Sequence, residues 1–193
     1  MIKFFIVSTV AALFVISAFA ADHKDVMTTA QDFSLMGHDG QKHSLSDYDD
    51  AKAIVVMFIA TKCPVSNGFN ERMVEIADMY ASKGVAFLGI NSNKAEKLEE
   101  VKEHAKKHGF PFVVLKDDNN VIADQFKAKV TPEVYVLSSD KTVLYHGRID
   151  DSADTNERKS ADLVKALDEI LAGKVVSAST TKAFGCTIKR VSM

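Results

Sequence analysis

Residues 53–84 read AIVVMFIATKCPVSNGFNERMVEIADMYASKG, and the fold turns on this stretch. Ala53 to Ala60 form an unbroken apolar run with several β-branched side chains. Such a run is too short for a buried helix and suits a strand covered on both faces. From Pro64 to about Ser82 the pattern changes. Phe69, Met73, Ile76, Ala77 and Tyr80 recur at spacings of three and four and Gly84 supplies the stop, which predicts a helix with Pro64 at its first position. Cys63 falls at the junction, at the carboxyl end of the strand and the N-terminal end of the helix.

Upstream, apolar or aromatic residues at Phe33, Leu35, Leu45 and Tyr48 flank His38-Asp39-Gly40, and the Asp-Gly pair predicts a small β-hairpin at the domain edge. Downstream, Val85–Ile90 reads as a second buried strand, 94–107 as a charged surface helix ended by Gly109, and Phe112–Leu115 as a third strand. A short helix follows over 121–127. Glu133–Leu137 and Thr142–His146 are strands whose four-residue link makes them antiparallel. Residues 159–171 form an amphipathic helix with Leu163, Ala166, Leu167 and Ile170 on one face. This order predicts an α/β domain over residues 32–172, a central mixed β-sheet flanked by helices, with an N-terminal β-hairpin. Residues 21–31 read as a loose arm and 173–193 as a C-terminal tail carrying Cys186. Ligands of such sheets bind beyond the carboxyl ends of parallel strands, where Cys63 lies.

A chain of 193 residues with 47% hydrophobic and 26% charged residues fits one globular domain and excludes a disordered tail or a multi-domain array. Its 24 basic against 26 acidic residues give no reason to expect a nucleic-acid partner. Residues 1–20 carry Lys3, an apolar run from Phe4 to Phe19, and small residues at Ala18 and Ala20. They read as a secretory signal peptide cut after Ala20, with no membrane span left after cleavage and a periplasmic or secreted destination.

Export changes what two cysteines mean, because a thiol pair can persist as a disulfide in an oxidising compartment. A bond between Cys63 and Cys186 would close a loop of about 123 residues and stabilise the fold by about 4.7–5 kcal/mol in the chain-entropy model. A domain of this size buries an adequate core without a staple, so the pair is open to chemistry. Three features converge on Cys63: unpaired N–H groups at a helix N-terminus, the neighbouring cation Lys62, and Pro64, which stiffens the turn at no hydrogen-bond cost. The first two favour the thiolate, which is the reactive form.

The chain resembles the thioredoxin-fold redoxins, the alkyl hydroperoxide reductase/thiol-specific antioxidant-like and thioredoxin-like family. The resemblance lies in Cys63-Pro64-Val65-Ser66 after a strand, Val130-Thr131-Pro132 before another, and the run Tyr145 to Asp150. It is closest to an exported bacterial subgroup with Ile90-Asn91-Ser92-Asn93 and a C-terminal Gly185-Cys186-x-Ile188-Lys189. The resemblance implies a thioredoxin-like fold, Cys63 as the catalytic thiol, Pro132 as a cis-proline against it, and Thr131 beside it as a substrate-binding backbone. Lys62, Pro64, Ser66 and Glu133 would support the site.

The departures matter as much. Thioredoxins place a second Cys where this chain has Ser66, so no local disulfide forms. Peroxidatic redoxins carry Thr three residues before the nucleophile and an Arg near the cis-proline; here Ala60 and a Thr-Pro-Glu stretch stand there, Thr61 is one residue out of register, and a peroxidase site is not supported. The tail after the last helix is long enough to fold back across the domain, so Cys186 is the candidate resolving thiol. Redox-active pairing, a static bridge and two unpaired thiols remain open. The leading function is an exported thiol-disulfide oxidoreductase acting on protein disulfides or thiols with a redox protein as electron donor or acceptor. The alternatives are a thiol peroxidase and a non-catalytic binding module with a structural bridge.

Other residues invite plainer readings. Glu133 reads as a solvated rim residue that could instead approach Cys63 as a proton acceptor, Asp150 and Asp151 as a cap or solvated turn, and Arg148 as solvent-facing. His104 and His108 share a helix face without a third ligand in sequence, so no metal or other cofactor is expected. Cleavage after Ala20 would create Ala21-Asp22-His23, whose amine, backbone nitrogens and imidazole suit Cu(II) or Ni(II).

Overall fold

A computed structural model describes residues 27–191. The signal-peptide segment and Ala21-Asp22-His23 lie outside the described residues. The hairpin forms from β1 (Ser34–Gly37) and β2 (Lys42–Ser44), followed by a 3-10 turn over Leu45–Tyr48. The apolar run forms β3 (Ala53–Phe58), every residue of which is buried. Then come α1 (Pro64–Asn67), α2 (Asn70–Ala81), β4 (Val85–Asn91), α3 (Leu98–His108), β5 (Val113–Lys116) and α4 (Val121–Gln125). The chain continues through β6 (Val130–Thr131), β7 (Glu133–Leu137), β8 (Val143–Gly147), α5 (Asp162–Leu171) and β9 (Cys186–Thr187).

Seven strands make one mixed sheet in the order β2-β1-β5-β4-β3-β7-β8, and β6 pairs with β9 in a separate two-stranded ladder. β3 runs parallel to β4 and antiparallel to β7, which puts it in the sheet interior and explains its unbroken hydrophobicity. Alternate residues of β3 feed two cores. Val55 and Met57 join Met73, Ile76 and Tyr80 of α2, Val101 of α3 and Leu167 of α5 on one face. Ile54, Val56 and Phe58 join Ile122 and Phe126 of the α4 segment, Phe33 and Leu45 on the other. The mixed α/β architecture is that of the thioredoxin-like proteins.

Two local expectations are corrected. The single helix read over 64–82 is broken at Gly68 and Phe69, where the Phe69 N–H bonds Ser66 O at 3.0 Å, three residues back. Gly68 packs where a Cβ would lie 3.2 Å from the Ala153 Cβ, and the regular spacing of Phe69, Met73, Ile76 and Tyr80 runs straight across the break. The arm over 21–31 is not loose in its described part. Thr29 bridges Thr142, the Ala30 N–H bonds Lys141 O at 2.9 Å, and Ala30 is buried. Backbone pairing needs no hydrophobic period, so the sequence carried no signal for it.

Candidate active site

Cys63 caps α1. It has extended backbone angles (φ −86°, ψ 116°), and its sulfur accepts the Ser66 N–H at 3.3 Å. Helix α1 is one turn long, so this direct N–H bond, rather than a long helix dipole, acts on the sulfur. Ser66 is fully buried where thioredoxins carry their second Cys, and its hydroxyl accepts the Ala60 N–H at 3.1 Å, locking the junction between β3 and α1. Pro64 starts α1 and is exposed. Lys62 disappoints the electrostatic expectation. Its ammonium turns away to Glu100 at 2.7 Å and Ala95 O at 3.1 Å.

The Thr131–Pro132 peptide bond is cis and both residues are buried. The Thr131 carbonyl oxygen accepts the Cys63 S–H at 3.3 Å. Thr131 pairs with Cys186, and Val130 with Thr187, in the antiparallel β6–β9 ladder. The backbone expected to lie open for a substrate segment is thus occupied by the chain's own tail. Gly185 makes the approach possible: its φ is +148°, and a Cβ there would collide with the Thr131 carbonyl oxygen.

Both cysteines are free thiols, Cys63 buried and Cys186 half-buried. Their side chains are close enough for each to shift the acidity of the other. Burial pushes the Cys63 thiol up, but hydrogen bonds from the Cys186 side chain, the Ser66 N–H, the Thr131 side chain and the Cys186 N–H outweigh it, leaving Cys63 more acidic than an ordinary thiol. Cys186 moves the opposite way, raised by its hydrogen bond to Cys63, by burial and by the Cys63 charge. Of the two thiols, Cys63 is therefore the one more readily ionised.

Glu133 is not a rim residue. It is 5% exposed, and its carboxylate accepts the Lys129 and Val130 N–H groups at 2.7 and 3.1 Å and meets His146 Nε2 at 2.7 Å. It thereby fixes the backbone leading into Thr131, with no hydrogen bond to Cys63. Asp150 is likewise no solvated turn. It is 1% exposed and takes both carboxylate oxygens to Arg72 Nη1 at 2.7 and 2.6 Å. Asp151 accepts the Lys159 and Ser160 N–H groups, each at 2.9 Å, as a loop cap. Arg148 is partly buried and donates to Asp162 at 2.8 Å. The His104 and His108 rings sit 4.5 Å apart, and among the described residues no group of three or more metal-ligating side chains converges.

Sequence reasoning missed Glu96. This buried carboxylate accepts the Thr61 N–H at 2.7 Å and the Lys62 N–H at 3.3 Å, and takes Asn91 Nδ2 at 2.6 Å. It clamps the two residues that precede Cys63. An acidic residue next to a charged helix looks like one more surface charge, so only the fold could single it out.

Residues 26–146 match the AhpC/TSA family. The chain belongs to that family. A curated relative is the thiol-disulfide oxidoreductase ResA of Geobacillus thermodenitrificans, 25% identical over 118 residues that cover 61% of this chain and 66% of ResA, just under two thirds of its length. Among solved structures, a hypothetical protein of Sinorhizobium meliloti 1021 is 33% identical with a TM-score of 0.81, covering 88% of this chain and 96% of that one. An uncharacterized conserved protein of Geobacillus kaustophilus is 32% identical with a TM-score of 0.82, covering 88% and 94%. The shared framework is that of a redoxin.

Proposed function

We propose that this family member is an exported thiol-disulfide oxidoreductase in which Cys63 is the nucleophile and Cys186 the resolving thiol. The observation that carries the reading is the placement of Cys186 opposite Thr131, whose carbonyl oxygen also meets Cys63, with the acidities of the two thiols shifted in opposite directions. The Cys63 thiolate attacks one sulfur of a substrate disulfide, forming a mixed disulfide and expelling the other sulfur as a thiolate. That step removes the negative charge and the hydrogen bond that hold the proton on Cys186. Cys186 then loses its proton to solvent and attacks the Cys63 sulfur, releasing the second substrate thiolate and leaving a Cys63–Cys186 disulfide. Two electrons pass from the cysteine pair to the substrate. A dithiol redox protein restores the pair, and with an oxidant in its place the same steps run in reverse.

Export supports this reading, since cleavage after Ala20 would deliver the pair to a compartment where disulfides persist. The domain limits of 32–172 and a tail from 173 onward agree with a scheme in which the tail supplies the second thiol.

The test is the reduction potential of the pair, obtained by equilibrating the mature protein in glutathione buffers and counting trapped thiols by mass spectrometry. A reversible Cys63–Cys186 bond between about −120 and −270 mV is expected for an exchange catalyst. A value below about −300 mV would make the bond a structural staple and overturn the reading. Rapid sulfenic acid formation at Cys63 with dilute hydroperoxide, without exchange on disulfides, would favour a thiol peroxidase instead.

A further inference from the structure

The tail does more than reach Cys63, because it is gripped on both sides of Cys186. On the near side, the Thr181 N–H bonds His146 O at 3.0 Å and the Thr181 hydroxyl meets Tyr145 Oη at 2.7 Å and the Arg148 N–H at 3.0 Å. On the far side, Ile188 is buried in the α4-side core and its N–H bonds Lys129 O at 2.9 Å. Beyond it, the Lys189 N–H bonds Asn93 Oδ1 at 2.8 Å and the Val191 N–H bonds Asn120 Oδ1 at 2.7 Å. The Lys94 N–H returns a bond to Lys189 O at 3.0 Å.

Asn93 and Asn120 are themselves held. They are 6% and 1% exposed and belong to a buried polar network at the carboxyl ends of β4 and β5. In it Lys116 Nζ bonds Asn93 O at 3.0 Å, Asn120 Nδ2 bonds Ser92 O, and Ser92 Oγ donates to Asp117 at 2.8 Å. A buried network with each amide oxygen turned outward to a passing backbone N–H is a fixed receptor for that backbone. The sheet needs neither amide for its own ladder.

We propose that Asn93 and Asn120 are positioning residues that latch residues 189–191 and so hold Cys186 at a high effective concentration against Cys63. This rests on the reading of Cys63 and Cys186 as a reacting pair. Loosening the latch frees the tail in the dithiol form, whereas the disulfide form stays tethered through its covalent bond. The equilibrium for disulfide formation from glutathione disulfide, which oxidises both thiols and yields two molecules of glutathione, therefore moves towards the dithiol.

The test is that equilibrium constant, measured in glutathione buffers on the full mature chain and its variants, beside the melting temperature of each reduced protein. Asn93→Ala, Asn120→Gly and a chain ending at Ile188 are each expected to lower the constant by about tenfold or more. Glycine is chosen at 120 because Asn120 has φ +59°, which Ala adopts poorly. Asn93→Asp, which keeps an acceptor oxygen for the Lys189 N–H, should recover the wild-type value to within about threefold. Tyr80→Phe, which loses the bond to Asp168 far from the site, should lower the melting temperature and leave the constant unchanged. Wild-type constants in the three latch variants, with melting lowered alone, would make the network merely structural and overturn the latch. A wild-type protein that forms no Cys63–Cys186 bond at any glutathione ratio would overturn the reacting pair, and the latch with it.

Discussion

Thr131 is the register partner of Cys186 in the β6–β9 ladder, and its carbonyl oxygen also accepts the Cys63 S–H at 3.3 Å. One residue thus meets both cysteines, its backbone pairing with the tail strand at Cys186 and its oxygen accepting from Cys63. The tail strand also occupies the pairing edge of Thr131, so any other extended segment that pairs there must first displace β9.

Gly185 is the point at which this docking is most exposed to substitution. Gly185→Ala puts a methyl group against the Thr131 carbonyl and forces a non-glycine residue into φ +148°, so the ladder should open. Exchange of the Ile188 amide, bonded to Lys129 O at 2.9 Å, should then speed up by about tenfold or more, as read by NMR.

The acidity of Cys63 depends on its tail partner. Burial works against the thiolate, and the first of the groups that outweigh it is the Cys186 side chain. Cys186→Ala removes that donor and keeps the backbone, so the pH midpoint for alkylation of Cys63 by iodoacetamide should move upward and its rate at pH 7 should fall. An unchanged midpoint would mean that the backbone N–H groups alone stabilise the thiolate.

Glu133 should matter through the backbone rather than through the thiol. Burial raises its carboxyl pKa, but His146 and the Lys129 and Val130 N–H groups outweigh this and hold it below the ordinary value. A depressed folded pKa gives stability that is present above the unfolded carboxyl pKa and is lost as pH falls through the folded one. Glu133→Ala leaves two part-buried N–H groups without their acceptor and should cost about 2–3 kcal/mol in urea unfolding, with Glu133→Gln costing less.

The sheet was legible because strand hydrophobicity and helical spacing are local signals. β3, α3 and α5 lie within a few residues of where Ala53–Ala60, 94–107 and 159–171 placed them. The position of Cys63 followed from the same pattern. The environment of the site was not legible, because polar partners are assigned by the fold. Lys62 looked like a cation for Cys63 and is taken by Glu100, while Glu133 and Asp150 looked solvated and are buried among donors 4 and 78 residues away in sequence. The break at Gly68 was hidden by side chains whose spacing survives it.

His104 should carry a pH dependence that the carboxylates do not. Burial lowers its pKa first, and repulsion from His108 and Lys107 adds to this, with Glu96 opposing, so that it falls to about 4. The ring stands 4.5 Å from His108 and 5.7 Å from Phe110, and its Nε2 is 3.3 Å from Asn70 Nδ2. Unfolding releases a histidine of pKa about 6.5 that takes up a proton the folded state refuses. A folded pKa depressed below the unfolded one makes protonation favour the unfolded chain, so stability is full above about pH 6.5 and declines as pH falls towards 4. His104 is only half-buried, and solvent screening reduces the full linkage energy to about 1–2 kcal/mol. Stability measured by urea unfolding should fall between pH 7 and pH 4.5, above the range where most carboxylates titrate, and His104→Gln should flatten that slope while keeping an acceptor for Asn70. An NMR titration should place the His104 ring well below His108, whose own pKa burial and Lys107 depress without so large a shift. A ring titrating near 6.5 with an unaltered slope in His104→Gln would assign the acid sensitivity to other groups.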